Sequence, residues 1–324
     1  MHSRSLIATL ASIALSALFG FTPARAAEPY PNHAVTIVVP YTPGGGTDSI
    51  ARLYAQKLSE RWNQSVVVEN RPGADSVIGS AQVARSPADG YQLLMILPAH
   101  PINASLKAQL PFEPQKDLVP IAMLAASSWT IVVNPQVPVK NLKELIALAK
   151  TQPGKLSVAV SDPQSRLGAE LFMKVAGIQW TIVPYKGGSQ SAADILAGHV
   201  PVGIGSVPSI AQHYKSGAIR ALAVTGQKRS ASLPDIPTVA QAGVDGFEME
   251  IWYALAARAG TPQETLDTIA TAVNEIAKMP DVQARLTELS AEPRAYTQAE
   301  FARFVDGEFD KYRSIVKTAG IKPE

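Results

Sequence analysis

The pattern of apolar and polar positions along most of the chain predicts an α/β protein. Short β-branched runs such as Val35–Val39 and Lys155–Val160 have the length and composition of buried strands. Segments 47–62 and 141–151 carry apolar residues three and four positions apart, which predicts amphipathic helices. Strands and helices follow one another in turn, and this order favours parallel sheets joined by crossover helices.

Two longer extended segments, 121–134 and 250–257, stand on either side of a middle unit with its own strands and helices. This arrangement predicts two α/β lobes joined by two crossing strands, with a ligand cleft between the lobes at the carboxyl ends of the strands. The predicted boundaries are 1–26 for a leader, 27–125 together with 250–324 for the first lobe, and 126–249 for the second lobe.

The first residues have the pattern of a secretory signal peptide. Arg4 provides the positive start, 6–21 is an apolar run, and Ala24-Arg-Ala26 fits a small-x-small cleavage site. The sequence therefore predicts an exported periplasmic protein with cleavage before Ala27. An uncleaved N-terminal anchor helix is the alternative.

Charge and cysteine content narrow the class of function. Without residues 1–26 the count of Lys and Arg falls from 29 to 27 and equals the 27 Asp and Glu, because the leader holds Arg4 and Arg25 and no acid. A near-neutral mature chain argues against nucleic acid or an anionic membrane as a partner. The chain has no cysteine, which excludes disulfides, thiolate catalysis and cysteine metal sites. We expect no cofactor.

The most informative loop is the Pro-Gly-Gly-Gly turn at Pro43–Gly46, which follows the first strand and precedes a helix predicted to have Thr47 as its N-cap. Glycines expose backbone amides, and a helix start favours an anion such as a carboxylate or phosphate. The loop lacks the spacing of a dinucleotide fingerprint and the Gly-Lys-Ser/Thr of a P-loop. A purely structural joint is the alternative.

Recognised catalytic patterns are missing from the sequence. There is no G-x-S-x-G elbow, and the four histidines of the mature chain are scattered, without an H-E-x-x-H motif. His100 follows the end of a predicted strand, which would direct it to the cleft edge. The other histidines are expected to be surface or hydrogen-bonded residues.

Two charged residues lie at predicted strand-to-helix turns. Arg166 is placed where a guanidinium could clamp a carboxylate, although a salt bridge to Asp162 or a solvated helix start would also explain it. Asp48 could cap the first helix or touch a ligand through water. Trp252, in the second extended segment, is expected in the hinge or the core, with a ligand contact as the alternative.

A series of motifs in order along the mature chain resembles the Bug-type solute receptors of tripartite tricarboxylate transporters. They include Val38-Val-Pro-Tyr-Thr-Pro-Gly-Gly-Gly-Thr-Asp48, Val68-Glu-Asn-Arg-Pro-Gly-Ala74, Asp89-Gly-Tyr91, Val183-Pro-Tyr-Lys-Gly187 and Leu233-Pro-Asp-Ile-Pro-Thr238. No single motif is decisive, but their common order is specific.

The resemblance implies a type II periplasmic-binding-protein fold without catalytic activity. It also implies a small organic acid as ligand, a dicarboxylate or an aromatic carboxylate, integral-membrane transporter subunits as partners, and a monomer. Carried over to this chain, the two facing loops and neighbouring strand ends give the predicted ligand-binding residues: Tyr41, Gly45, Gly46, Thr47, Asp48, Ser76, His100, Ser161, Ser165, Arg166, Tyr185 and Ser206.

The chain departs from the family pattern at two places beside the predicted ligand. Gly73-Ala-Asp75-Ser76 stands where relatives have a Gly-Ala-Gly-Gly segment, and Asp162-Pro-Gln-Ser-Arg166 replaces a longer Gly- and Ser-rich turn. An added arginine favours a second carboxylate or stacking on an aromatic acid. An added Asp75 is unfavourable for an anion unless it pairs with Arg166 or points away.

Two other functions are compatible with parts of this pattern. A periplasmic sensor that reports a carboxylate to a membrane kinase would have the same binding surface as a transport receptor. A periplasmic enzyme is the weaker alternative, because no nucleophile-base pair or metal cluster is visible.

Overall fold

The computed structural model describes residues 30–185 and 188–319. The predicted signal peptide 1–26 and the turn residues Lys186 and Gly187 lie outside them. From His33 onward the chain forms one compact unit. None of the helices in the described part of the chain combines the length and hydrophobicity of a membrane span.

Within these residues the strands are β1 (Val35–Val39), β2 (Val66–Asn70), β3 (Gln92–Ile96), β4 (Leu118–Val133), β5 (Ser157–Val160), β6 (Thr181–Pro184), β7 (Val202–Ser206), β8 (Arg220–Val224) and β9 (Glu250–Arg258). The helices are α1 (Gly46–Trp62), α2 (Val77–Ala84), α3 (Ala99–Leu106), α4 (Pro114–Asp117), α5 (Leu142–Thr151), α6 (Pro163–Ala176), α7 (Gly188–Leu196), α8 (Val207–Lys215), α9 (Gln263–Ile276), α10 (Pro280–Glu288) and α11 (Gln298–Ala319).

The strands pair in two groups that share β4. In the first group the order is β2-β1-β3-β9-β4, with β1 parallel to β2 and β3 and with β9 antiparallel to β3 and β4. In the second group β4 is antiparallel to β7 and β8, and β5 is parallel to β6 and β7. This mixed sheet with helices is the predicted α/β class, which is confirmed.

Strand β4 changes partners along its length. Residues Leu118–Ser128 pair with β9, whereas Trp129–Val133 pair with β7. The start of β9 is also hydrogen-bonded to the end of β8. The Met249 amide, just before β9, donates to the Thr225 carbonyl, just after β8, at 2.9 Å.

Continuous burial characterises the two longest strands. Strand β4 is buried over almost all of its sixteen residues, and β9 is buried from Ile251 to Ala257. Both read as near-continuous apolar runs, because their two faces are covered by helices. Trp252 is in the core, as predicted: it is 1% exposed, packs against Phe301 and Phe304, and donates from Nε1 to Glu308 at 2.9 Å.

Helix α6, which follows β5 of the second strand group, is hydrogen-bonded to β9 and α11. Its second residue, Gln164, is buried and donates to the Glu250 carbonyl at 2.8 Å and to the Tyr312 hydroxyl at 3.2 Å. The C-cap of the helix is Gly177, with φ of +63°, a left-handed conformation that glycine adopts without strain.

Candidate functional site

Two adjoining compartments open among the strand ends. The tyrosine compartment, with a volume of about 320 Å³, has Tyr41, Trp129 and Tyr253 in its wall. The arginine compartment, with a volume of about 280 Å³, is lined by Lys107 and Arg166 among others. The residues that line both compartments are Asp75, Asn103, Asp162 and Pro163.

The compartments lie where the carboxyl ends of parallel strands meet. Tyr41 follows β1, Pro98 follows β3, Asp162 follows β5, and Ser206 is the last residue of β7. Ligands of open α/β sheets bind at this edge, because the loops after the strands converge there. The cavities therefore lie at the edge where the sequence predicts the ligand site.

Asp162 is held in place by neutral hydrogen-bond donors. Its carboxylate accepts from the Ser165 amide at 2.9 Å, the Ser165 hydroxyl at 3.1 Å and the Ser161 hydroxyl at 3.2 Å. The residue is the N-cap of α6, and Ser165 completes a capping box. Burial raises the pKa of Asp162, although these hydrogen bonds oppose the rise.

Asp75 lies on a loop with an unusual backbone. Ala74, Asp75 and Ser76 have φ of +47°, +53° and +78°, a left-handed region that residues with a Cβ seldom occupy. The Asn103 side chain donates to the Asp75 carbonyl at 2.7 Å, and the Lys107 ammonium lies 3.1 Å from its carboxylate. The sequence offered pairing with Arg166 as one way to accommodate Asp75; in the structure the cationic partner of Asp75 is Lys107, at the end of α3.

Arg166 is an exposed side chain in the wall of the arginine compartment. The alternative of a salt bridge to Asp162 is wrong, since no ion pair involves Arg166 in the part of the chain that the structure describes. Tyr185 lines the same compartment and donates from its hydroxyl to Asp194 at 2.7 Å. Burial and this hydrogen bond raise the pKa of Tyr185 to about 12, so it is a neutral phenol.

The Gly-rich loop is fixed from behind by Asp48. Helix α1 begins at Gly46 with Gly45 as N-cap, so the prediction of Thr47 as N-cap is wrong. Asp48 is 4% exposed and does not cap the helix; it accepts from the Gly44 amide at 3.0 Å and from Asn70 at 2.9 Å. Burial alone would raise the pKa of Asp48, but hydrogen bonds from Arg52, Gly44 and Asn70 hold it below its usual range.

Four of the twelve predicted residues line the compartments. Tyr41 and Ser206 line the tyrosine compartment, and Arg166 and Tyr185 line the arginine compartment. Among the described residues, the other eight are outside both linings: Gly45, Gly46, Thr47, Asp48, Ser76, His100, Ser161 and Ser165.

Several of these eight have structural partners instead. Ser76 is buried and hydrogen-bonded with Tyr41. Ser165 is fully buried, and its hydroxyl accepts from the amides of Ser161 at 3.0 Å and Asp162 at 3.1 Å. His100 lies in the core of the first strand group rather than at the cleft edge, with its ring 6.4 Å from Phe112 and 5.5 Å from Phe309.

Sequence reasoning missed the wall that α3 supplies. Ala99, Ile102, Asn103, Leu106 and Lys107 all line one or both compartments from this helix. Positions 99, 102, 103 and 106 have the i, i+3, i+4, i+7 spacing of one helix face, which could have revealed it. Only His100 was expected from this segment, and it lies on another face of the helix.

The aromatic wall of the tyrosine compartment is neutral. Burial raises the pKa of Tyr253 to about 12, and burial together with the nearby charges of Asp162 and Asp75 raises the pKa of Tyr41 further. Trp129 is 5% exposed, and no described group accepts a hydrogen bond from its Nε1. Tyrosines and a tryptophan offer both flat apolar surfaces and hydrogen-bond donors to a ligand.

The described residues contain no group of three His, Asp or Glu side chains suited to a metal ion. The site combines a cavity for a small molecule, two acids, two bases and several neutral donors. Such an arrangement can bind and orient a small polar solute.

Comparisons with known proteins agree with this description. A family model described as the tripartite tricarboxylate transporter family receptor matches residues 50–321. The protein BugT of Bordetella pertussis (strain Tohama I) is 33% identical over 300 residues, which are 91% of this chain and 92% of BugT.

Solved structures of similar proteins cover nearly the same length. An R. palustris protein solved with adipate is 35% identical, with a TM-score of 0.79 over 91% of this chain and 100% of that protein. The periplasmic binding protein BugD is 31% identical, with a TM-score of 0.75 over 91% of this chain and 100% of BugD.

Proposed function

The chain belongs to the tripartite tricarboxylate transporter receptor family, whose members are substrate-binding proteins rather than enzymes, and on this basis we propose that it captures a small carboxylate and delivers it to transporter subunits in the membrane. The tyrosine and arginine compartments, whose walls include Asn103 and Arg166, are the proposed binding site. Adipate in the similar R. palustris protein supports a carboxylate as ligand.

The observation that carries the proposal is the exposure of Arg166 at the cavity wall without an ion-pair partner among the described residues. Its side chain is exposed and lines the arginine compartment, and no ion pair involves it within residues 30–185 and 188–319. A guanidinium of this kind forms bidentate hydrogen bonds with a carboxylate. Tyr185, Tyr41 and Ser206 are the proposed neutral contacts around it.

We further propose two lobes, 27–125 with 250–324 and 126–249, that close on the ligand after removal of a signal peptide 1–26. The partner change within β4 at Ser128 and Trp129 supports a hinge there. Closure would bring the amides of Gly45 and Gly46 and the hydroxyl of Thr47 to the ligand, while Asp48, Ser76, His100, Ser161 and Ser165 hold the loops in position.

A thermal-shift screen of carboxylates on the purified mature protein tests the proposed ligand class. A ligand that binds only the folded state stabilises it by about 2.7 kcal/mol at a hundred times its Kd. We expect one or more carboxylates to raise the melting temperature. A screen in which only uncharged metabolites or simple amines do so would refute the proposal.

Replacement of Arg166 tests the proposed contact. Arg166→Ala should weaken carboxylate binding, measured by titration calorimetry, by about 1.5–3 kcal/mol, since a charged hydrogen bond is lost. The control is Arg303→Ala, an exposed arginine of α11 outside both compartments, which should bind like the unaltered protein. Equal affinity of both variants would assign Arg166 to the surface.

Delivery to a transporter is tested in cells. Deletion of the gene should abolish uptake of the bound carboxylate. Loss of gene induction with uptake intact would instead support a sensor.

A further inference from the structure

We propose that the preferred ligand is a zwitterion, with a protonated nitrogen held by Asp162 beside the tyrosine compartment and a carboxylate held by Arg166 in the arginine compartment. This inference rests on the proposed function and specifies the ligand class of the same site. It arises from the two short segments in which this chain departs from the family pattern, around Asp75 and Asp162.

The first argument is that charge is distributed unevenly between the two compartments. The acids Asp75 and Asp162 line both compartments, whereas the bases Lys107 and Arg166 line only the arginine compartment. Acids are thus the charged residues of the tyrosine compartment, which is suited to a cation, and the bases beside it can bind an anion, as an amino acid or a related zwitterion requires.

The second argument is that Asp162 has no cationic partner. Its carboxylate accepts hydrogen bonds from Ser161 and Ser165, which carry no charge, and no ion pair involves it among the described residues. A half-buried carboxylate without a cation is destabilised by desolvation, which is also why its pKa is raised. An ammonium group beside it would supply the missing opposite charge.

The third argument is the total charge of the occupied site. The two acids and two bases of the lining leave the empty site neutral, and Lys107 is already paired with Asp75 at 3.1 Å. A plain dicarboxylate would give the occupied site a net charge of about −2, beside the Asp162 carboxylate. An amino monocarboxylate leaves the site neutral, and an amino dicarboxylate leaves one negative charge.

The aromatic wall favours the same ligand. Tyr41, Trp129 and Tyr253 line the tyrosine compartment with the two acids. The faces of these rings attract a cation. The wall therefore adds to the attraction of Asp162 for a protonated nitrogen and gives no charged contact to a second carboxylate.

Titration calorimetry with matched ligand pairs tests the proposal. The pairs are aspartate and succinate, glutamate and glutarate, and 6-aminohexanoate and adipate. The members of each pair have the same number of carbons; in the first two pairs the amine is added to the diacid, and in the third it replaces one carboxylate. We expect one amine-bearing member to bind at least tenfold more tightly than its partner. Tighter or equal binding of the plain diacid in every pair would overturn the inference and leave the proposed function intact.

The variant Asp162→Asn separates charge from structure. Asparagine is a good N-cap, so α6 should still form. The preference for the amine should fall at least tenfold, while binding of the plain diacid should stay equal or become tighter. Asp245→Asn, an exposed acid away from both compartments, is the matched control and should keep the preference.

The remaining outcomes also decide the question. An amine preference that survives Asp162→Asn overturns the inference, because the nitrogen would then be bound elsewhere. Failure of every amine-bearing member to bind also overturns the inference, and the thermal-shift screen then decides separately whether the proposed carboxylate function stands.

Discussion

His100 shows how burial gives a single side chain an influence on stability. It is 5% exposed, packed against Phe112 and Phe309, and hydrogen-bonded to the backbone of Pro114. Burial lowers the pKa of His100 to about 4 from its usual 6.5, so the folded protein keeps this ring neutral.

The stability of the protein should therefore fall in acid. Below pH 6.5 the unfolded chain takes up a proton on His100 that the folded protein refuses until about pH 4. The contribution of His100 to the free energy of unfolding should decrease by about 2–3 kcal/mol between pH 7 and pH 4.5. Urea unfolding at the two pH values, compared with His100→Gln, measures it as the difference between their pH dependences.

The exposed His199 provides the control for this experiment, since its side chain is 71% exposed. We expect His100→Gln to reduce the pH dependence of stability more than His199→Gln does. If His100→Gln kept the pH dependence of the unaltered protein, burial of His100 would not be its cause.

At the scale of residues, the sequence predicted part of the cavity lining. Arg166 was predicted from its position after a strand, and Tyr41, Tyr185 and Ser206 from the family resemblance; all four line the cavity. Asp162 was considered only as a partner of Arg166. Its position between the compartments depends on how the strand ends of both groups approach one another, which residue types alone do not reveal.

At the scale of elements, the close contact between α2 and the end of β1 depends on Gly79. A Cβ at this position would lie 2.9 Å from the Pro40 Cβ, 3.1 Å from the Arg71 carbonyl and 3.2 Å from the Pro40 Cα. Two of these three atoms belong to the backbone, so they cannot rotate away. The contact brings α2 against the residue that precedes Tyr41.

Gly79→Ala should therefore destabilise the protein, by about 1–3 kcal/mol of unfolding free energy, because the added methyl group overpacks the contact. Gly307→Ala is the matched control: Gly307 lies inside α11, and a Cβ there would have no neighbour within 4 Å. That control should gain about 0.5–1 kcal/mol, since alanine is the better helix former. Urea denaturation would measure both, and a loss in both variants would show that Gly79 has no special contact.

The order of strands and most helices could be predicted from the apolar pattern, because burial imposes its period on the sequence. Helix α3 was missed, as it is only eight residues long and follows Pro98. The left-handed backbone from Ala74 to Ser76 was also beyond prediction, because none of the three is a glycine. Contacts from Asn103 and Lys107 hold that loop, and these depend on the missed helix.

At the scale of the whole molecule, the cavity has walls from both strand groups. Asn103 and Lys107 come from α3 beside the first group, whereas Asp162 and Arg166 come from the loop and helix after β5 in the second group. A ligand in contact with both walls would be bound more tightly by a closed form than by an open one, and it would shift the population towards closure.

Small-angle X-ray scattering tests the proposed closure. We expect the radius of gyration to decrease when a carboxylate found in the thermal-shift screen is added at saturation. Arg166→Ala at the same ligand concentration should show a smaller decrease, because its occupancy is lower. An unchanged radius at proven saturation would contradict closure on the ligand.

The place of β9 in the sheet also has a consequence for the order in which the protein can fold. Since β9 lies between β3 and β4, the first strand group is incomplete until residue 258 has left the ribosome. In a nascent chain of 249 residues, the edges of β3 and β4 that pair with β9 would be open. We therefore expect the first strand group to complete its folding only near the end of synthesis, because its pairing joins distant segments of the chain.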